Sequence, residues 1–137
     1  MSKLLSNISL RVWHPHMTAE HVSTQLGLTP EYLRSIGEPR AAPNGRLLGG
    51  INEQTYVWFR LIYKERVELG ARLESCYVDL QQRHAFIQEI GETGGEVEFY
   101  VSVFLREIGG FRIPPALVEK FAGLGLAMSV ELYPEDE

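Results

Sequence analysis

TYVWFRLIY, residues 55–63, is the stretch that decides the fold of this chain. It is dense in β-branched and aromatic residues, which favours a strand, and it is apolar at nearly every position. A strand that is apolar on both sides is typical of a sheet with both faces covered. We therefore predict that Thr55–Tyr63 lies within a sheet and that the rest of the chain is arranged around it.

Three further segments have the alternating pattern of strands: Ile8–His14, Glu96–Arg106 and Met128–Tyr133. Helical spacing predicts helices between them. The first is Ala19–Leu26, with Thr18 as its N-cap, the second is the long stretch 66–90, and the third opens at Pro114. The stretch 66–90 is either one helix or two helices that meet near His84.

This order of elements predicts an α+β fold. We expect a two-layer sandwich in which a four-stranded, mostly antiparallel sheet carries helices on one face. The arrangement is a ferredoxin-like variant with a long loop between the first helix and the second strand, and Thr29–Leu33 adds a helical turn before that loop. At 137 residues, the chain fits a single domain spanning 1–137.

Composition limits the classes of function. The net charge is −5, with 45% apolar residues and an acidic tail at Glu135–Glu137, so we expect no nucleic-acid partner. The single cysteine, Cys76, excludes an internal disulfide and is typical of a reducing compartment. No stretch has the length and hydropathy of a signal peptide or a membrane span. We therefore predict a cytoplasmic protein with no membrane association.

The segment Ile36–Gly50 is too long for a turn, and long connections without regular structure are commonly functional or disordered. Glu38 and Arg40 of this segment could form a polar site with Glu53 and Arg60, or these residues could be surface ion pairs that hold the loop in place. We expect the segment to act as a lid over the neighbouring sheet.

Alternation also defines the two faces of the sheet. We expect alternate residues of each strand to be buried against the helices, among them Leu10, Phe59, Leu61, Val101, Met128, Val130 and Leu132. The opposite face then carries aromatic residues interleaved with charged ones. These are Arg11, Trp13, Tyr56, Trp58, Arg60, Glu98, Tyr100, Ser102, Phe104, Arg106, Glu131 and Tyr133. Three interpretations stay open: a structural cover by the loop or a second subunit, a recognition surface for a ligand or protein partner, and stacking of single-stranded RNA.

Catalytic and metal-binding patterns are weak. His14 and His16 with His21 are the only crowded metal ligands, and no distant ligand completes the set. Cys76 and His84 would lie about 12 Å apart along a helix, too far for a nucleophile and its base. No phosphate-binding glycine loop is present. We predict no catalytic residue, metal or cofactor.

Several short motifs resemble those of the bacterial family known as domain of unknown function 4279. They are Leu10–Pro15, Gly37–Arg40, Gly45–Arg46, Gly49–Gly50, Thr55–Trp58, Gly95–Val97 and Leu132–Pro134, and they are spread over nearly the whole chain. The resemblance implies a stand-alone domain of bacterial origin. It implies no activity, because the family has none established.

We predict a non-enzymatic module that binds a protein partner or a small anionic ligand. Its candidate binding residues are Trp13, Glu38, Arg40, Arg46, Trp58 and Arg60. One alternative is an enzyme that clamps a small anionic substrate with Arg40 and Arg46 and uses Glu38, His14 or His16 as acid or base. The other is a purely structural domain that assembles with itself, for example as a homodimer.

Overall fold

The computed structural model describes residues 3–135, so Asp136 and Glu137 of the acidic tail lie outside it. The strands are β1 (Leu4–His14), β2 (Tyr32–Arg34), β3 (Pro39–Ala41), β4 (Leu47–Ile51), β5 (Thr55–Val67), β6 (Glu96–Leu105) and β7 (Leu126–Pro134). The helices are α1 (Ala19–Leu26), α2 (Leu69–Gln81), α3 (His84–Glu92) and α4 (Pro115–Leu124). The predicted α+β class is confirmed.

The main sheet has five strands in the order β2-β5-β1-β6-β7, and β3 and β4 form a separate hairpin. β1 is central and pairs antiparallel with both β5 and β6, whereas β6 and β7 are parallel. Three of the four strand pairings are antiparallel, so the sheet is mostly antiparallel as predicted, but it has five strands and not four, and the ferredoxin-like details do not match. The parallel pair needs a crossover connection, which α4 supplies.

The fifth strand is β2, in a segment for which a helical turn was predicted at Thr29–Leu33. Tyr32 and Leu33 instead pair with Trp58 and Val57 of β5. A pattern of five residues is too short to decide between helix and strand, and pairing with an existing strand outweighs local preference.

The helices cover one face of the sheet and share one hydrophobic core with it. Helix α1 has the predicted bounds: the Thr18 side chain accepts from the backbone N–H of His21 at 3.1 Å. The stretch 66–90 contains two helices, which separate at Gln82 and Arg83. No helix within residues 3–135 is both long and apolar enough to span a membrane.

A β-bulge in β5 changes which side chains face the core. Ser9 pairs with Arg60 and Ile8 pairs with Ile62, so Leu61 is an extra residue in the strand. Ile62 is buried in place of Leu61, for which burial was expected. Beyond the bulge the alternation is shifted by one residue, which turns Tyr63 away from the core.

The edge strand β7 is much less covered than its pattern suggested. We expected Met128, Val130 and Leu132 to face the helices, but they are 36%, 37% and 65% exposed. They lie on the same side of the sheet as buried Phe99, with which Met128 pairs. Alternation therefore identified their face correctly, while the helices do not reach far enough to cover it.

Candidate functional site

The side of the main sheet opposite the helices is hereafter the open face. It carries Arg11, Trp13, Tyr32, Arg34, Tyr56, Trp58, Arg60, Tyr63, Lys64, Glu98, Tyr100, Phe104, Glu131 and Tyr133. Both tryptophans and five of the six tyrosines of the chain are in this set. Five of the six phenylalanines are instead buried in the core or packed against it.

This division of the aromatic residues has a physical cause. A Phe ring is wholly apolar and is best placed in a core, whereas Tyr and Trp have a polar group that needs water or a partner. The open face thus has the composition of a half-hydrated surface rather than of a second core. The expectation that both sides of Thr55–Tyr63 are covered is not met within the described residues, because Trp58 and Tyr56 are only half buried.

An ion pair between Arg11 and Glu98 lies at the centre of the open face. Arg11 Nε and Nη2 donate to Glu98 Oε1 at 2.9 and 2.6 Å, and Ser129 Oγ donates to Glu98 Oε2 at 2.8 Å. Burial acts to lower the pKa of Arg11, but the hydrogen bonds and attraction of Glu98 outweigh it, so this pKa is raised. Arg11 is therefore a fixed cation in the middle of the sheet.

The guanidinium of Arg11 also lies over two rings. Its Cζ is 4.1 Å from the ring centre of Tyr100 and 5.1 Å from that of Trp13. The Trp13 ring in turn is 5.4 Å from the ring of Tyr56. Cation–π contacts of this kind hold flat rings and guanidinium groups in a layered arrangement.

A second set of stacked cations lies along β5 and β2. Arg60 Cζ is 4.3 Å from the ring centre of Tyr63 and 5.2 Å from that of Trp58. Arg34 Cζ is 5.1 Å from the ring centre of Tyr56, and this guanidinium has no carboxylate partner within residues 3–135. Arg60 has only a long contact, 3.8 Å, with Glu31. These cations are therefore less neutralised than Arg11.

The β7 side of the open face has an acidic counterpart. The Tyr133 hydroxyl donates a hydrogen bond to the Glu131 carboxylate. This bond lowers the pKa of Glu131 and raises the pKa of Tyr133, since it stabilises the ionised carboxylate and the protonated phenol together. The rim at β7 therefore stays negative while the β5 side stays positive.

The predicted lid is a β-hairpin. β3 and β4 are fixed at their base, where Gly37 N–H donates to Asn52 O and Asn52 N–H donates to Glu38 O, both at 2.9 Å. Leu47, beside the turn, is 71% exposed, and Ile51, opposite Pro39 near the base, is 58% exposed. The hairpin lies beside β2 at the edge of the sheet. The contacts of the Trp13 and Trp58 rings are with side chains of the sheet itself, namely Tyr56, Arg11 and Arg60.

The six predicted binding residues fall into two groups. Trp13, Trp58 and Arg60 lie together on the open face, whereas Glu38, Arg40 and Arg46 lie on the hairpin. Glu38 lines a cleft of about 550 Å³ between the hairpin and β2. Arg40 lines a second cleft together with Glu53, and its Nη1 donates a hydrogen bond to Gly49 O at 3.3 Å. Arg46 lines neither of these two clefts.

Arg34 joins the two groups and was missed by the sequence analysis. It stacks on Tyr56 and also lines both clefts beside the hairpin. The alternation of Tyr32 and Arg34 was the available signal. It was hidden because the segment Thr29–Leu33 was assigned to a helical turn.

His14 is held in a structural role. The backbone N–H groups of His16 and Met17 both donate to His14 Nδ1 at 2.9 Å, and Nε2 lies 2.7 Å from Thr93 Oγ1. Because Nδ1 accepts, Nε2 carries the proton and donates to Thr93, whose hydroxyl donates to Glu89 O. Burial lowers the pKa of His14. His14 is buried and shares no cleft with Glu38 or Arg40.

No group of three or more His, Cys, Asp or Glu side chains is placed to hold a metal ion in the part of the chain described. Cys76 is buried on α2, as its helical spacing predicted, and burial raises the pKa of its thiol to about 11.

Fold and face together define a class: an α+β protein whose mixed five-stranded sheet has helices on one face and an aromatic, arginine-rich surface on the other. The chain belongs to the family described as "Domain of unknown function (DUF4279)", which it matches over residues 4–135. The resemblance predicted from the short motifs is confirmed. Comparison with curated proteins and with solved structures gave no match.

Proposed function

We propose that this protein is a non-enzymatic binding module and that the open face is its recognition surface for a protein partner. The observation that carries the proposal is the placement of both tryptophans and five tyrosines on the one sheet face without helices, with arginines stacked on them. Trp, Tyr and Arg are the residues that dominate binding energy at protein interfaces.

Rigidity supports this proposal. The side chains of Arg11 and Arg60 are held by rings and carboxylates in the free protein, so little conformational entropy is left to lose on binding. Such preorganisation favours affinity, whereas long flexible side chains oppose it.

Charge indicates the kind of partner. Arg11, Arg34, Arg60 and Lys64 lie among the rings, where Glu98 is the central carboxylate. Glu96, opposite Trp13, and Glu131 lie on the β6 and β7 side of the open face, so its locally basic part is the side formed by β2 and β5, on a chain whose net charge is −5. This asymmetry favours a partner with carboxylates around an aromatic or apolar centre.

A charge-matched pair of variants tests this proposal. Arg60→Glu with Tyr63→Ser alters two exposed side chains of the open face, and Arg40→Glu with Leu48→Ser makes the same changes on the hairpin. We expect the open-face double variant, Arg60→Glu with Tyr63→Ser, to lower recovery of the partner by at least about tenfold, as for loss of interface hot spots. Recovery is measured by quantitative mass spectrometry after affinity capture from lysate, and binding of the purified partner by tryptophan fluorescence.

Both tryptophans are on the open face, so a bound partner must change their emission. Equal losses in the two double variants, or a loss with the hairpin variant alone, would contradict the proposal. Thermal melting of both variants checks that the fold is kept.

Self-association is a second proposed role, favoured by the exposed edge of β7. Leu126–Pro134 is a nine-residue edge strand without lysine and with proline only at its end, features that leave its outer backbone open to pairing. At the opposite edge, β2 has only three residues, and so short an edge strand offers little backbone for pairing. A symmetric antiparallel pair centred on Val130 places Met128 of one copy opposite Leu132 of the other. The apolar side chains are thus self-complementary, which favours a second copy as the partner.

Replacing Leu132 with lysine tests this pairing. We expect the wild-type chain to have twice the monomer mass by light scattering at high micromolar concentration, and Leu132→Lys to be monomeric, because lysine on an edge blocks pairing. Leu47→Lys, at a comparably exposed hairpin position, is the control and should remain dimeric. A monomeric wild-type protein would rule out the dimer.

A further inference from the structure

A second cleft, on the helix side of the sheet, is independent of the open face. It has a volume of about 420 Å³ and lies between the end of α1, the bulged part of β5 and the outer side of α2. Leu26, Leu28, Leu61 and Leu80 form an apolar floor, and Arg72 and Arg83 supply cations. We refer to it as the α1–α2 cleft.

We propose that the α1–α2 cleft binds a small amphipathic carboxylate. The alkyl part of such a ligand lies against the apolar floor, and its carboxylate is held by the guanidinium groups that line the cleft. Pockets of a few hundred Å³ with an apolar lining and a small number of placed charges are typical small-molecule sites.

The floor depends on the bulge in β5. Leu61 is the extra residue of that bulge; its half-buried side chain packs against the edge of the core and lines the cleft next to Ile62. Ile62 takes its place in the core. Bulges that redirect one side chain are often found next to functional sites, and this one supplies apolar surface that is only half buried.

Arg72 has an unused hydrogen-bonding group. Its Nη2 makes a 3.3 Å contact with Glu65 Oε2, but its Nε is buried and has no acceptor among residues 3–135. A buried donor without a partner is costly, and a carboxylate accepts from a guanidinium in a bidentate way. Because this Nε has no solvent-accessible surface, a ligand carboxylate would meet the outer nitrogens of the guanidinium first and would reach Nε only if the Arg72 side chain turned toward the cleft.

Arg83 is the second cation. Its Nη2 lies against Gly27, where a Cβ atom would come within 2.9 Å, and the left-handed φ of +69° at Gly27 also favours glycine. Arg83 makes no ion pair and no side-chain hydrogen bond within the described residues. Gly27, the C-cap of α1, thus makes room for the guanidinium of Arg83. No carboxylate among residues 3–135 forms an ion pair with this guanidinium.

The other groups in the cleft leave these cations available. Asp79 is the lining carboxylate, but it lies beyond 4 Å from either guanidinium. Burial raises the pKa of the Cys76 thiol to about 11, so this group is uncharged at neutral pH. With Asp79 and the Glu65 that Arg72 contacts counted against the two arginines, the charges balance, and Arg83 is the cation left without a carboxylate within 4 Å among residues 3–135. A ligand carboxylate above the apolar floor would form an ion pair with Arg83, which an alcohol or an amine of the same chain length could not do.

Cys76 provides the experiment, because it is the single cysteine of the chain and it lines the cleft. Its reaction with a thiol reagent is followed at pH 8.5 with increasing octanoate. We expect octanoate to slow the reaction at least about fivefold at saturation, since a ligand in the cleft blocks access. Octanol and octylamine, at equal concentration, should protect much less.

Variants identify the contacts. Arg83→Gln should weaken the apparent octanoate affinity by about tenfold or more, as expected for loss of a charge-assisted hydrogen bond. Arg46→Gln, on the hairpin, should leave it unchanged. Leu61→Ser should also weaken the octanoate affinity, and the variant should keep the fold because Leu61 is half exposed. The rise in melting temperature on adding octanoate is an independent measure of binding.

Absence of protection, equal protection by octanol, or unchanged affinity in Arg83→Gln would overturn the proposal. These outcomes leave the open-face proposal untouched, because Arg60 and Tyr63 are not part of the cleft.

Discussion

Replacement of His14 by alanine is expected to lower the free energy of unfolding by about 3 kcal/mol or more. The imidazole accepts hydrogen bonds from the backbone of His16 and Met17 and donates to Thr93, and it is 1% exposed. Alanine leaves two backbone donors unsatisfied and a cavity at the end of β1. Urea denaturation of the two proteins measures the difference.

His14→Asn is the matched control. The asparagine Oδ1 can accept the two backbone hydrogen bonds that Nδ1 accepts, while the contact with Thr93 is lost. We expect roughly half of the alanine loss, about 1–2 kcal/mol. Equal losses in the two variants would show that the ring is needed for its volume and not as an acceptor.

The same residue gives stability a dependence on pH. Burial is the main reason why the pKa of His14 is lower in the folded protein than its unfolded value of 6.5. At pH values just below 6.5, the unfolded chain therefore binds more protons than the folded chain does. The stability from neutral His14 is thus complete above pH 6.5 and is lost as the pH falls through the folded pKa. The difference in stability between wild type and His14→Asn should shrink between pH 7.5 and 5.5.

Replacement of Gly95 by alanine is the other substitution with a large expected effect. A Cβ atom at Gly95 would lie 2.6 Å from the backbone oxygen of Trp13 and 2.8 Å from Ile90 Cγ2. The backbone oxygen cannot move without shifting β1 against β6, so we expect a loss of about 2–4 kcal/mol in unfolding free energy. Denaturant titration, with a check of the sheet by circular dichroism, tests it.

Gly91→Ala is the control. Gly91 lies within α3, and a Cβ atom there meets no heavy atom within 4 Å. Alanine should stabilise the helix by about 0.5–1 kcal/mol, because glycine is a poorer helix former. If Gly95→Ala were as stable as Gly91→Ala, the close approach of β6 to β1 would be incorrect.

The elements that sequence predicted best are those with local signals. Helix α1 has a Thr cap, a four-residue apolar spacing and a terminal glycine within ten residues, and its bounds match. β2 has none of these, because its three residues become a strand only by pairing with β5. The parallel direction of β7 likewise depends on where α4 packs. The alternating pattern of β7 holds no information about the packing of that helix.

The part of the open face formed by β1, β6, β7 and by β5 as far as Arg60 was predicted from alternation, whereas the residues from β2 were not. Alternation placed Trp13, Trp58 and Arg60 together, and the structure has them on one face. It failed beyond Arg60, because the bulge at Leu61 shifts the phase and brings Tyr63 onto the open face. The hairpin residues Glu38, Arg40 and Arg46 could not be placed, since nothing local tells how a long connection lies against a sheet.

The order of the strands also has a consequence for how the chain is made. β1 is the centre of the sheet, but its partners β5 and β6 follow much later, and about 80 residues separate His14 from Glu96. At roughly 5–20 residues per second, the ribosome needs on the order of 4–16 s to supply that second partner. An apolar strand therefore waits with an unpaired edge during synthesis, when it is exposed to aggregation. We expect the amides of the central strand β1 to be among the slowest to exchange in the finished protein, although this strand is among the last to be paired on both edges.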